Sequence, residues 1–174
     1  MIIRTKAPVR ISFGTCGDKD YFINVLGYGN GINATINLYS YCELHERKDN
    51  KIILRSLETG HVLVFNALNE IKFAERELNL MKAVALHYGN TGIEVVTHTD
   101  APLESGLGGS AAHTVAMIKA FNEYNKINMG DEDIDFVATP WSLYKNGNRM
   151  VVINKGFLNS HGFYLISIKD IESI

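Results

Sequence analysis

The scarcities of this 174-residue sequence narrow the field before any motif does. Cysteine occurs only as Cys16 and Cys42, without a charged-then-apolar leader ahead of them. That fits a reducing, cytoplasmic setting, which we expect, better than the disulfide framework of a small secreted domain. Positive charge is not in excess: 17 Lys plus Arg stand against 19 Asp plus Glu, a net charge of −2. A general attraction for nucleic acid or for an anionic membrane is therefore missing, and any phosphate recognition has to be local. No apolar run approaches the length of a transmembrane helix. No pair of histidines, cysteines or carboxylates has metal-site spacing, so a structural zinc is not expected. Repeats, low-complexity tracts and an obvious linker are also missing. What is left, 46% hydrophobic and 21% charged, is the composition of an ordinary soluble domain with a sizeable core.

The periodicities supply the architecture. Residues 2–13, "IIRTKAPVRISF", alternate around Pro8 and read as a bent or interrupted strand. In "INATINLYSYCELHER", Ile36, Leu38, Cys42 and Leu44 share one face of a second strand. "KIILRS" and "HVLVFN" flank the turn-like "LETG" as a hairpin. The period then changes to helical in "ERELNLMKAVALHYG", with Gly89 placed to end the helix. "GIEVVTHT" alternates again. A second helix is expected from about Ser110 to Tyr124, burying a stripe of Ala111, Val115, Ile118 and Phe121. The tail offers a hairpin at Asn146-Gly147 and a final strand, Phe163 to Lys169. The expected class is α+β, mostly antiparallel, with helices on one face of the sheet.

Between the last early strand and the second helix lies "DAPLESGLGGSAAHT". Glycine-rich turns that run into a helix bring backbone amides together at a site that the helix dipole already makes favourable for anions. Gly106, Gly108 and Gly109, with the hydroxyls of Ser105 and Ser110, can form a polyphosphate cradle. The P-loop pattern is excluded, because Ala111 follows Ser110 and the nearest lysine is Lys119; the dinucleotide fingerprint spacing is missing too. The plainer alternative is a tight turn capped by Ser110 ahead of a core helix. His98 and His113 bracket the loop, and strand and helix packing account for them as well as a phosphate contact does. Cys16 has only Lys19 nearby to activate it and reads as inert.

The longer string, Pro102 and then Ser105-Gly106-Leu107-Gly108-Gly109-Ser110-Ala111-Ala112, resembles the second signature of the GHMP kinases, with Gly109 in place of that signature's first serine. "KAPVRISF" resembles the family's first-strand motif in its heptose-phosphate kinase branch. "GNGINATINLYSYCEL" and "LNLMKAVALHYGNTGIEVVTHTDAP" continue the likeness, so that it extends from about Ile2 to Phe121. The resemblance implies a ribosomal protein S5 domain 2-like module over residues 1–125, with 126–174 a remnant hairpin and strand completing the same domain. It implies ATP held by Ser105, Gly106, Leu107, Gly108, Gly109, Ser110 and Ala111, and magnesium bound at Ser110.

The same resemblance places Arg10 near the transferred phosphoryl group or the sugar phosphate, against the alternative of an exposed strand arginine. Asp18 or Asp20 would contact sugar hydroxyls, although Thr15 and Cys16 replace two glycines of the family's loop there. Asp133 or Asp135 would act as base, against the alternative of a solvated acidic turn. Only "NEYNKINMGDEDI" stands where the family has a magnesium-binding glutamate helix, and after the last hairpin and strand no C-terminal domain is expected. The implied activity is phosphoryl transfer from ATP to a sugar hydroxyl, a heptose phosphate being the best match. The alternative is a non-catalytic nucleotide-binding or interaction domain. A homodimer or a partner subunit is expected to cover the face that a second domain would cover.

Overall fold

The computed structural model describes residues 1–13, 30–73 and 78–129, together with the backbone of three short strands at 144–145, 148–149 and 163–167. Strand β1 spans Ile2–Ser12, β2 Asn30–Glu46, β3 Ile52–Ser56, β4 Val62–Phe65 and β5 Ile93–Thr99. Helix α1 spans Asn79–Tyr88 and α2 Gly109–Asn125. Strands β6 (Tyr144–Lys145) and β7 (Asn148–Arg149) form the antiparallel pair expected around Asn146-Gly147, and β8 covers Phe163–Ser167.

The main sheet runs β1-β2-β5-β3-β4. All of its neighbours are antiparallel except β3 and β5, which lie parallel with Ile52 opposite Ile93. Long β2 is the hub: β1 pairs along one edge from Ser12 to Ile2, while β5 and β8 share the other, β8 against Asn30–Ala34. The ladder of β1 shifts register between Pro8 and Arg10. Proline has no N–H to donate, so the ladder breaks at the position where the sequence suggested a bend.

One apolar row crosses the sheet through Ile3, Leu44, Val95, Leu54 and Leu63, each opposite the next. The first four are buried or nearly so, as side chains alternating with period two on the helix-covered face require. Two rows further along, Ala7, Ser40 and Thr99 face one another, and the inner face becomes small. Ala112, Ala116 and Ala120, spaced by four on α2, are fully buried, and the Thr5 hydroxyl donates to the Ala116 carbonyl at 2.6 Å. Small residues on both sides let the helix backbone come close to the sheet.

Helix α2 departs from the expected single stripe. Ala112 and every residue from Thr114 to Phe121 except Lys119 are buried, because the sheet covers one side and α1 another. Buried Asn122 is satisfied by the Tyr88 hydroxyl, which donates to its Oδ1 at 2.7 Å, while the Tyr88 ring stacks on Phe121. Gly89 ends α1 at φ 69°, as its placement suggested.

Gly92, just before β5, has φ +68°, and a Cβ there would lie 2.8 Å from the Asp49 carbonyl oxygen. Its own carbonyl accepts the Arg47 N–H at 2.7 Å, so neither segment can withdraw without losing that bond. Gly92→Ala should therefore destabilise the fold by about 2 kcal/mol or more. The check is a lowered urea midpoint at unchanged m-value; an unshifted midpoint would show that the contact relaxes freely.

Candidate functional site

The glycine loop leaves β5 and reaches α2 with both of its ends fastened to the sheet. At its start, Asp100 is clipped to β2. Its N–H donates to the Tyr39 carbonyl at 2.9 Å, and its Oδ2 accepts the Tyr39 N–H and the Tyr41 hydroxyl, each at 3.0 Å. Burial, and then the carboxylate that its hydroxyl must face, hold the Tyr41 phenol above its ordinary pKa. The Thr99 hydroxyl accepts the N–H of buried Ala101 at 3.2 Å. At the far end, the Leu107 carbonyl accepts the Arg10 N–H from β1 at 2.9 Å. Between these feet, Glu104 (φ 60°) and Gly106 (φ 74°) turn the chain, and Gly108 (φ 74°) begins α2.

The start of α2 is polar and uncapped. Gly108 occupies the cap position and makes no side-chain cap bond, and no acidic residue lies in the first turn. The alternative in which Ser110 caps the helix is thereby corrected. Ser110 lies inside the first turn, exposed, because the left-handed glycine at 108 starts the helix two residues before it. The first-turn amides of an α-helix have no partners within the helix, so they are available to an anion. A Cβ built on Gly106 or on Gly109 would meet nothing within 4 Å, which places open space over the loop backbone rather than packed protein.

Of the other residues singled out by sequence, Arg10 is half-buried and lies opposite Thr35, its backbone beside the loop's exit. Asp18, Asp20, Asp133, Asp135 and Cys16 lie outside the described residues. Among the described residues no group of three or more histidine, cysteine, aspartate or glutamate side chains comes together. Cys42 is fully buried, and burial pushes its thiol far above the ordinary range, so it is inert.

Sequence reasoning missed Glu58. It sits in the β3–β4 turn, where "LETG" suggested only a change of direction, and its side chain is 7% exposed. Its Oε2 accepts the Ser56 hydroxyl at 2.6 Å, and its Oε1 lies 3.0 Å from Nε2 of His113 on α2. That nitrogen also lies 3.2 Å from the His98 carbonyl oxygen. The N–H is aligned with the carbonyl, so the approach of Oε1 to the ring is a close electrostatic contact rather than a second aligned bond. Fifty-five positions separate Glu58 from His113, and no local pattern signals such a contact. The exposed His98 ring stacks on Tyr41 at 6.0 Å, which fits the packing alternative for that histidine.

Burial opposes ionisation of Glu58, but His113 and the Ser56 hydroxyl outweigh it and hold the carboxyl at about 2, against an ordinary 4.5. A depressed carboxyl contributes stability that is present above the unfolded pKa and lost as pH falls toward the folded one. Wild-type melting temperature should therefore drop through the window from about 4.5 to about 2, with a shallower drop in Glu58→Gln. Parallel declines in the two proteins would show that this carboxylate is not held ionised by the fold.

The fold has known relatives. Residues 64–143 match the GHMP kinases N terminal domain. The chain is 32% identical over 144 residues to D-glycero-alpha-D-manno-heptose 7-phosphate kinase of Campylobacter jejuni, an alignment covering 78% of this chain and 42% of that protein. It superposes on a D-glycero-D-manno-heptose 1-phosphate kinase from Bacteroides thetaiotaomicron with TM-score 0.69 at 27% identity, over 79% of this chain and 46% of the other. The mevalonate kinase of Methanococcus jannaschii gives TM-score 0.69 at 25% identity, over 97% of this chain and 54% of that one. The chain thus spans about half, or less, of the length of each relative. With residues 64–143 matching that domain and the chain superposing on these kinases, the chain has the GHMP kinase N-terminal fold.

Proposed function

We propose that the chain binds ATP through its glycine loop and serves phosphoryl transfer to a sugar hydroxyl, with a heptose phosphate as the favoured acceptor. The observation that carries this reading is the uncapped start of α2, with its loop backbone open to solvent and both feet tied to the sheet. Such a loop offers fixed N–H donors to phosphate oxygens without reorganising, which is what stabilises the charge spread over a transferring phosphoryl group. The choice of acceptor rests on likeness to a protein named as a heptose 7-phosphate kinase.

In this reading Ser105, Gly106, Leu107, Gly108, Gly109, Ser110 and Ala111 surround the phosphates. Ser110, exposed in the first turn, fits as a hydroxyl ligand to magnesium carried by the nucleotide, and the ion supplies charge neutralisation on the phosphates. Arg10 serves the acceptor end, where a guanidinium suits a phosphate or sugar phosphate through paired hydrogen bonds. We assign sugar contact to Asp18 or Asp20 and the role of base to Asp133 or Asp135. The site works as part of a homodimer or with a partner subunit.

Calorimetric titration of ATP with and without magnesium tests the loop. The wild type should bind, and Gly108→Asp should lose binding by at least about a hundredfold, because it places a carboxylate among the phosphate-facing amides at a left-handed position. No binding by the wild type, or equal binding by the variant, would refute the nucleotide assignment. An ADP-release assay with heptose 7-phosphate then tests transfer. Binding without turnover would leave the non-catalytic nucleotide-binding domain as the correct reading.

A further inference from the structure

Glycines give the loop its shape and also leave it free to change shape. Its crown has open space above Gly106 and Gly109, and the helix it feeds has no side-chain cap. The far half of α2 is fixed independently of the loop. Thr5 bonds the Ala116 carbonyl, Tyr88 bonds Asn122, and the Asn90 and Asn125 amides bond each other at 2.8 and 2.9 Å. In the first turns Ala112 and Val115 pack into the core, and polar ties to other elements are fewer. The Thr114 hydroxyl bonds the Ser110 carbonyl within the helix itself and so ties α2 to nothing else. Among the described residues, His113, one turn after Ser110, adds to the packing of Ala112 and Val115 a polar tie from this end of α2 to two other elements, the end of β5 at His98 and the β3–β4 turn at Glu58.

That turn is built to hold its carboxylate still. Ser56 donates to Glu58 Oε2, the Thr59 hydroxyl donates to Ser56 Oγ at 3.0 Å, and the Ser56 N–H is bonded to the His61 carbonyl across the hairpin. A carboxylate with 7% exposure, whose Oε1 has no aligned donor of its own, gains more from the His113 ring than an exposed one would.

We propose that His113 is a positioning residue for the phosphate loop: held between the Glu58 carboxylate and the His98 carbonyl, its ring fixes the direction in which α2 leaves Gly108. The first-turn amides of Gly109, Ser110 and Ala111 are thereby held in one arrangement before a ligand arrives. The proposal rests on the reading of the loop as a phosphate site. His113 touches neither phosphate nor acceptor in this assignment; it acts through the helix.

The experiment compares the full chain with His113→Ala, His113→Gln and Tyr88→Phe. Tyr88→Phe removes the hydroxyl bond to Asn122 at the distant end of α2 and keeps the ring against Phe121, so it reports on helix stability alone. His113→Gln retains a side-chain N–H in nearly the position of Nε2 and also guards against loss of folding in the alanine variant. Melting temperature, the amide NMR resonances of Gly106, Gly108, Gly109 and Ser110 without ligand, and the Kd for magnesium-ATP are read for each, well below the melting temperature. His113→Ala and Tyr88→Phe should both melt earlier than the wild type. Only His113→Ala should move or broaden the loop amides and weaken nucleotide binding by about tenfold, with recovery in His113→Gln.

Loop resonances and Kd unchanged in His113→Ala, or disturbed equally in Tyr88→Phe, would overturn the proposal. A wild type that binds no nucleotide would refute the phosphate reading instead. In that event the ligand-free resonances still decide whether His113 sets the loop.

Discussion

The close approach of α2 to the sheet is the constraint on which the remaining geometry depends. Ala112, Ala116 and Ala120 face an inner sheet surface that shrinks toward Ala7, Ser40 and Thr99, and the Thr5 hydroxyl bridges directly to a helix carbonyl. Spacing of this kind is set by backbone, which cannot change rotamer, and is therefore stiffer than spacing set by large flexible side chains. It places the first turn of α2 beside the ends of β1 and β5. Those are the two strands whose neighbouring residues, Arg10 and Asp100, fasten the glycine loop. A bulkier seam would lift the helix and misplace the loop's exit relative to its start.

Much of the fold was legible because period two and period 3.6 report on burial locally. The hairpin of β3 and β4, the hub strand with Cys42 and Leu44 inward, the break at Pro8 and the glycine end of α1 all followed from such patterns. The breadth of α2's burial did not follow. Sequence shows a stripe where one neighbour covers a helix, but alanine and threonine are compatible with either a covered or an open face, and α1's position beside α2 was not available. The candidate site divided in the same way. The turn of Gly106, Gly108 and Gly109 running into a helix was readable from its glycines, and Gly106 and Gly108 take a φ of 74°, which glycine adopts at no steric cost.

Glu58 was invisible because its meaning comes from His113, and the two meet only after β3, β4 and α2 have assembled. The clip at Asp100 was hidden for a related reason. An aspartate after a strand has the appearance of turn chemistry, whereas here it accepts from the backbone and a phenol of the neighbouring strand. The aspartates near residues 18–20 and 133–135 fall outside the described residues, so the described site is the glycine loop and its supports.

Because its start is clipped at Asp100 and its exit at Leu107, the loop is an arch with two fixed feet. Displacement at either foot is transmitted to a strand, while the crown from Pro102 to Gly106 is exposed and bears on no core. Substitution or a change of length is therefore far better tolerated at Leu103 or Glu104 than one residue beyond either foot. Those two positions are the natural place for related chains to vary, and for an engineer to attach a reporter, without moving the amides of α2.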